Sequence, residues 1–258
     1  MGTYADKGDE AALLDAVDQF IERDVRPFAR KFEADDSYPK EIADRLSQLG
    51  LFGATIGGEY GGLGLSARIY TRIIERVSAC WMSISGIFNS HLIAANAVER
   101  FGTEEQKQRW LPMMARGEMR GGIALTEPDC GTDLQAIRTE AARDNDGLVI
   151  NGTKMWITNS MYGNFLAVLV VTNPIAEPRH RGMSLVLVEK QDGYETSKLE
   201  KLGYNGIDTG SVHFNNTRVP ADNLIGMEEG KGLQQVLVGL ELGRINIAAR
   251  GVGLARAC

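Results

Sequence analysis

The hydrophobic period of this chain changes twice, and that change limits its fold more tightly than any single motif does. From about residue 10 to residue 117, apolar residues recur at three- and four-residue steps. The series begins with Leu13, Leu14, Val17, Phe20 and Ile21, the stripe of a buried helix face. Pro27 falls late in that stripe and should bend or end it. A second helix is expected over 41–49, stopped by Gly50 as a left-handed cap. Ser66 reads as the N-cap of a third, carrying Ile69, Ile73, Ile74 and Val77, and another follows over 83–101. Thr103-Glu104-Glu105-Gln106 reads as a capping box for one more, which buries Trp110, Met113 and Met114 and ends at Gly117. The glycine-dense run at 57–64 is a loop, since no helix or strand interior tolerates so many glycines.

Beyond Gly121 the period shortens. Apolar or alternating runs lie at 123–126, 148–150, 154–158, 165–172, 183–189, 194–199 and 211–214. Turn signals separate them at Asp146-Gly147, Asn151-Gly152, Asp192-Gly193 and Asn215-Asn216, and Asn151-Gly152 is the strongest hairpin signal. After Gly230 the helical period returns and runs to Ala257 without a cap. The expected class is α+β. An all-helical N-terminal domain occupies 1–120, an antiparallel β-barrel or sandwich 121–229, and the start of a C-terminal helical bundle 230–258. Gly239, Gly243, Gly251 and Gly253 each cost about 1 kcal/mol relative to alanine inside a helix. Close packing against neighbouring helices, expected to lie outside these residues, should offset that cost.

Composition excludes other classes. Hydrophobic residues make up 43% and charged residues 24% of 258, an ordinary globular balance. Twenty-eight Lys and Arg against 34 Asp and Glu give a net charge of -6 and a pI near 5.3. An acidic chain without a basic block is a poor ligand for nucleic acid or an anionic membrane. Cys80, Cys130 and Cys258 are odd in number and far apart, and no C-x-x-C or His/Cys cluster exists. Neither a disulfide framework nor a zinc site is expected, and a reducing, cytoplasmic location is the natural one. The longest apolar run, 165–171, is far short of a membrane span. Seven acids within the first thirty residues argue against a presequence.

The residues with chemical character lie in the strand region. In Leu125-Thr126-Glu127-Pro128-Asp129-Cys130-Gly131-Thr132-Asp133, Pro128 ends a ladder and Gly131 admits close approach. Thr126 and Thr132 bring hydroxyls, and backbone N–H groups around the turn can face a phosphate or a ring edge. A simple capped turn reads equally well. In Lys154-Met155-Trp156-Ile157-Thr158-Asn159, Trp156 and Thr158 share a strand face. An indole beside a hydroxyl suits stacking on a planar heteroaromatic and bonding its edge, although a strand tryptophan is more often core. Gly251-x-Gly253 imitates a dinucleotide fingerprint but follows no strand and lacks the third glycine. His91 reads as a structural histidine, His180 as part of a solvated turn, and His213 as a strand residue without a visible partner. Glu127 reads as fixing its loop rather than acting as a base.

Together these segments resemble the acyl-CoA dehydrogenase family of flavoproteins over essentially the whole chain. The resemblance rests on T-E-P-x-x-G-[ST]-D at 126–133, W-I-T-N at 156–159, the stretch from Lys201-Leu202-Gly203 through Val219-Pro220 to Gly226, and Gly239-Leu240-Glu241-Leu242-Gly243-Arg244. It implies FAD between the β domain and a C-terminal helical domain, lined by Ile123, Leu125, Thr126, Gly131, Thr132, Trp156, Ile157 and Thr158. By resemblance, Thr126 and Thr158 hydrogen-bond the isoalloxazine and Trp156 packs beside it. Thr132 keeps a hydroxyl near the pyrophosphate and the CoA chain. Glu241 and Arg244 bracket a stretch that meets the acyl-CoA, Arg244 most directly. The implied reaction is FAD-dependent α,β-dehydrogenation of an acyl-CoA thioester to the trans-2-enoyl-CoA, within fatty-acid metabolism. Electrons pass to an electron-transfer flavoprotein. A homo-oligomer (dimer or tetramer), or a hetero-oligomer with a related chain, is expected, and no metal.

The same resemblance leaves the catalytic base unassigned. The family's glutamate lies beyond residue 258 or, in a minority of members, at the position of Gly243, which has no side chain. Glu241 is two residues away, roughly 200° round a helix. The uncapped stop at Cys258 reads as a break in mid-helix. The chain is therefore expected to be a piece of a complete enzyme, with a naturally short, inactive relative as the alternative. Two other functions share the fold: a flavin-dependent monooxygenase and a non-catalytic FAD-binding partner subunit.

Overall fold

The structure, a computed structural model, describes residues 7–144 and 147–258. Asp146 of the expected Asp146-Gly147 turn lies outside the described residues. The first apolar stripe forms α1 (Lys7–Phe20) and continues as a π turn over Ile21–Val25. α2 (Ala29–Asp35) and α3 (Lys40–Gln48) follow, and the chain leaves α3 through Gly50 at φ 73°. The next two expected helices are joined end to end in α4 (Ala67–Phe101). Their boundary survives as a kink at Trp81, whose φ of -156° and ψ of 106° break the helix. Thr103 and Gln106 form the reciprocal capping box that opens α5 (Glu104–Ala115). Gln106 Nε2 also donates to Asp222 O and Leu224 O, each at 2.7 Å, tying this helix start to the strand region.

Among the described residues, seven strands then form one curled sheet: β1 (Gly121–Ala124), β2 (Glu140–Arg143), β3 (Gly147–Thr158), β4 (Phe165–Val171), β5 (Met183–Glu189), β6 (Glu195–Lys198) and β7 (Thr209–Pro220). Their order is β1-β4-β2-β3-β7-β6, with β5 on β4. The sheet is mixed rather than purely antiparallel, because β1 and β2 both run parallel to β4. The chain between β1 and β4 is long enough to return to the same end of the sheet, which parallel pairing requires.

The expected hairpin at Asn151-Gly152 does not form. β3 and β7 pass straight through their asparagine signals, and the register shifts from Ile150 opposite Thr217 to Gly152 opposite Phe214. Asn216 N donates to Asn151 Oδ1 at 2.8 Å, and Asn151 Nδ2 to Asn216 Oδ1 at 3.3 Å. Gly152 at φ 144° and Asn216 at φ 51° absorb the extra residue as a bulge. Two turn-forming pairs thus meet across strands instead of each reversing the chain.

β4 and β5 bury both faces. Phe165, Ala167 and Leu169 join the helical core, while Leu166, Val168 and Val170 fill the interior of the curled sheet. The last helix, α6 (Gly232–Ala257), lies along α4. A Cβ on Gly239 would sit 3.0 Å from Ile93 O, and one on Gly253 would sit 2.4 Å from Glu75 O. The close neighbour of these glycines is therefore α4, not a helix outside the chain. A Cβ on Gly243 would sit 2.8 Å from the end of the Ile93 side chain, and only Gly251 among the four faces open space. No helix among the described residues is long and apolar enough to cross a membrane.

His91 is a core residue of α4, fully buried between the edges of Phe52 and Phe165. Its Nε2 lies 3.2 Å from Met114 O, and Nδ1 has no partner among the described residues. Burial pushes its pKa down to about 4. The fold holds the ring neutral, so this contribution is present above the unfolded pKa near 6.5 and is lost as pH falls toward 4. The loss is about 3 kcal/mol at most. Urea unfolding of His91→Gln should show a smaller drop in stability between pH 7 and pH 4 than the parent protein. An identical pH dependence in both would contradict this account.

Candidate functional site

The end of β1 runs into a tight turn. Glu127 N donates to Cys130 O at 2.9 Å, and Cys130 N to Glu127 O at 3.2 Å, closing the chain over Pro128-Asp129. Asp133 then accepts Gln135 N at 3.1 Å and caps the short helical turn Leu134–Ala136. The Glu127 carboxylate points inward. Its Oε2 accepts Arg138 N at 2.7 Å, and its Oε1 accepts Thr139 N at 2.9 Å and Lys154 Nζ at 2.8 Å. Lys154, wholly buried on β3, also donates to Leu125 O at 3.1 Å.

Burial acts against both charges of this pair. It pushes the Lys154 ammonium below the ordinary lysine range. On Glu127 burial is outweighed by the Lys154 charge and by the N–H donors, which hold the carboxyl below the usual carboxylate range. A carboxylate so satisfied serves as a brace and is unsuited to taking a proton.

Met155 N donates to Thr126 O at 2.8 Å, so the turn and the end of β3 meet directly. The β3–β7 register shifts between Lys154 and Ile157, and within that bulge Trp156 adopts φ 62°. A left-handed backbone is costly for a bulky aromatic and persists only where the surroundings impose it. The result is a Trp156 side chain left 54% exposed between the half-buried Met155 and the buried Ile157. Thr158 pairs with Thr209 and lies against β1, since a Cβ on Gly122 would sit 2.6 Å from Thr158 O. Asn159, at φ 63°, sends Nδ2 to Ile87 O and Gly121 O, each at 2.7 Å, and so ties α4, β1 and β3 together.

Of the residues read from the sequence, Ile123, Leu125, Thr126, Ile157 and Thr158 are gathered where β1 meets β3. Ile123 is held by its N–H on Ser90 Oγ of α4 at 3.2 Å. Gly131 is exposed, and its nearest neighbour for an added Cβ is the Thr126 methyl at 3.9 Å. Thr132 is exposed beside it. The side-chain hydroxyls of Thr126, Thr132 and Thr158 have no hydrogen-bond partner among the described residues. Glu241 and Arg244 are exposed residues of α6.

Arg244 lines a separate open cavity of about 500 Å³ between α4 and α6, with Asn89, Ile93, Leu240, Gly243 and Ile247. Glu241 does not line it. The two regions are linked through α4, where Asn89 lines the cavity and the next residue, Ser90, holds Ile123. His213, expected to lack a partner, lies 3.3 Å from Thr153 Oγ1 through Nδ1 and 3.1 Å from Ser211 Oγ through Nε2. Lys154 and Asn159 lie within the 154–159 motif, where sequence gives them no role of their own, and Asn89 lies in no motif. Lys154 carries a further signal, as a charge at an inward position of a strand.

The chain matches the family models of the acyl-CoA dehydrogenase N-terminal domain over residues 7–118 and of the middle domain over residues 122–217. It is 34% identical over 255 residues to (2S)-methylsuccinyl-CoA dehydrogenase of Cereibacter sphaeroides, covering 95% of this chain and 46% of that protein. It is also 34% identical over 249 residues to 2-methylacyl-CoA dehydrogenase of Solanum tuberosum, covering 95% of this chain and 60% of that protein. The chain thus spans about half to three fifths of the length of these relatives. Butyryl-CoA dehydrogenase of Megasphaera elsdenii superposes with a TM-score of 0.92 at 29% identity, over all of this chain and 68% of that one. A glutaryl-CoA dehydrogenase of Mycobacterium smegmatis, solved in complex with FADH2, superposes at 0.87 and 29% identity, over 98% of this chain and 64% of that one. In sequence and in fold, this chain belongs to the acyl-CoA dehydrogenase family.

Proposed function

We propose that this chain forms the flavin wall and part of the acyl site of an FAD-dependent acyl-CoA dehydrogenase, which converts an acyl-CoA thioester to its trans-2-enoyl-CoA and passes electrons to an electron-transfer flavoprotein. The observation that carries the reading is the Met155 N to Thr126 O bond at 2.8 Å. It joins the turn and the indole-bearing bulge into one continuous surface. The residues fit a flavin: an exposed indole is held in a strained backbone near threonine hydroxyls that have no hydrogen-bond partner among the described residues.

When bound, FAD supplies the acceptor for the β-hydride. Trp156 would pack against its ring system, Thr126 and Thr158 would donate to or accept from the ring edge, and Gly131 and Thr132 would lie toward the phosphates. The cavity between α4 and α6 takes the acyl chain, with Arg244 at its rim. The wall's task is to hold the thioester and the ring in register and to keep water from the reacting carbons. Gly243 has no group to take the α-proton and Glu241 stands outside the cavity. The proposal therefore assigns that step to a carboxylate outside these residues.

Protein expressed from its complete coding sequence should purify yellow and lose its visible flavin absorbance when an acyl-CoA such as butyryl-CoA is added without air. A folded, colourless preparation that takes up no FAD would overturn the proposal.

A further inference from the structure

The inner face of α6 carries two polar residues among its glycines, Asn246 and Arg250, and both are buried. Arg250 is 6% exposed, and no carboxylate pairs with it among the described residues. Its Nη1 donates to Tyr204 OH at 2.5 Å, and its guanidinium lies 5.5 Å from the Tyr204 ring centre. Its Nε donates to Asn246 Oδ1 at 2.5 Å. From there the donors all run one way. Asn246 Nδ2 donates to Tyr70 OH at 2.8 Å, and Tyr70 OH donates to Asn89 Oδ1 at 3.3 Å. Asn89 lines the cavity between α4 and α6, and its Nδ2 has no partner among the described residues.

A buried cation without a counter-charge is costly, because its desolvation is not repaid by a partner. Hydrogen bonds in a chain of common direction polarise one another in a low dielectric. The positive end of this chain therefore emerges at the Asn89 amide, in a cavity whose other lining on α4 and α6 is apolar apart from the Arg244 guanidinium at its rim, a second cation on the same cavity. An anion placed there would satisfy the free donor and offset the Arg250 charge together. A methyl end would do neither.

We propose that the cavity selects acyl-CoA thioesters whose acyl chain ends in a carboxylate, with Asn89 as the contact and Arg250 as the positioning residue that polarises it through Asn246 and Tyr70. This rests on the reading of the cavity as the acyl site.

The test compares glutaryl-CoA with its neutral isostere 5-methylhexanoyl-CoA, by anaerobic flavin bleaching and steady-state kinetics on the FAD-loaded protein from its complete coding sequence. The unaltered protein should favour glutaryl-CoA by about tenfold or more in kcat/KM, carried mainly by KM, as a charge-assisted hydrogen bond would give. Arg250→Met should collapse that ratio, and Arg250→Lys should restore part of it. Asn89→Leu, which leaves the bonds from Arg250 to Asn246 and Tyr204 in place, should collapse it too. A preference for 5-methylhexanoyl-CoA, or a ratio untouched by both Arg250→Met and Asn89→Leu, overturns this inference alone. Bleaching by neither thioester overturns the dehydrogenase reading with it.

Discussion

Replacing Glu127 by leucine should cost about 3–5 kcal/mol of unfolding free energy, because it leaves an ammonium buried without a partner. Lys154 is 0% exposed, and Glu127 is its one ion-pair partner among the described residues. The same change strips the acceptor from Arg138 N and Thr139 N, which lie 2.7 and 2.9 Å from the carboxylate. Lys154→Met should cost less, since Glu127 keeps both backbone donors. The double variant Glu127→Leu/Lys154→Met should recover much of the single-variant loss, because an apolar pair carries no desolvation cost. Urea unfolding of the three variants checks this. A double variant as unstable as the sum of the singles would show that the two side chains do not act as a pair. The consequence for function is local: the brace holds Leu125 and Thr126 to the strand that carries Trp156, so its loss should loosen the proposed flavin wall.

Much of the architecture was legible because its signals are local. The capping box at Thr103 and Gln106, the left-handed Gly50 and the unbroken apolar run of β4 each depend on neighbours in sequence. What sequence could not resolve depends on partners far along the chain. Asn151-Gly152 is a strong turn signal, yet Asn216 on β7 meets it and turns a reversal into a bulge. β2 is short and polar, Glu-Ala-Ala-Arg, and becomes a strand through β3 on one side and β4 on the other. The glycines of α6 announced close packing, but not that α4 was the surface they pack on. At the candidate site, the turn and the tryptophan strand were visible as motifs. Their joining through Lys154, and the left-handed backbone that turns Trp156 outward, were not. Nor was the polar relay from Arg250 to Asn89, whose members lie on α4 and α6 far apart in sequence.

The second large effect expected is on flavin affinity, and it bears most directly on the central claim that the turn at 126–132 and the bulge at Trp156 grip one ring system. Trp156 is 54% exposed and its indole N–H makes no hydrogen bond among the described residues, so its removal should leave the fold intact. If the indole covers a flavin, it contributes as a buried aromatic anchor of about 2 kcal/mol, which is roughly thirtyfold in affinity. The deciding measurement is the FAD dissociation constant of the full-length protein and of its Trp156→Ala variant, by titration of the apoprotein with near-UV circular dichroism as the check on folding. The account predicts a variant that is folded and binds FAD roughly thirtyfold more weakly. A folded variant that binds FAD as tightly as the parent would contradict it.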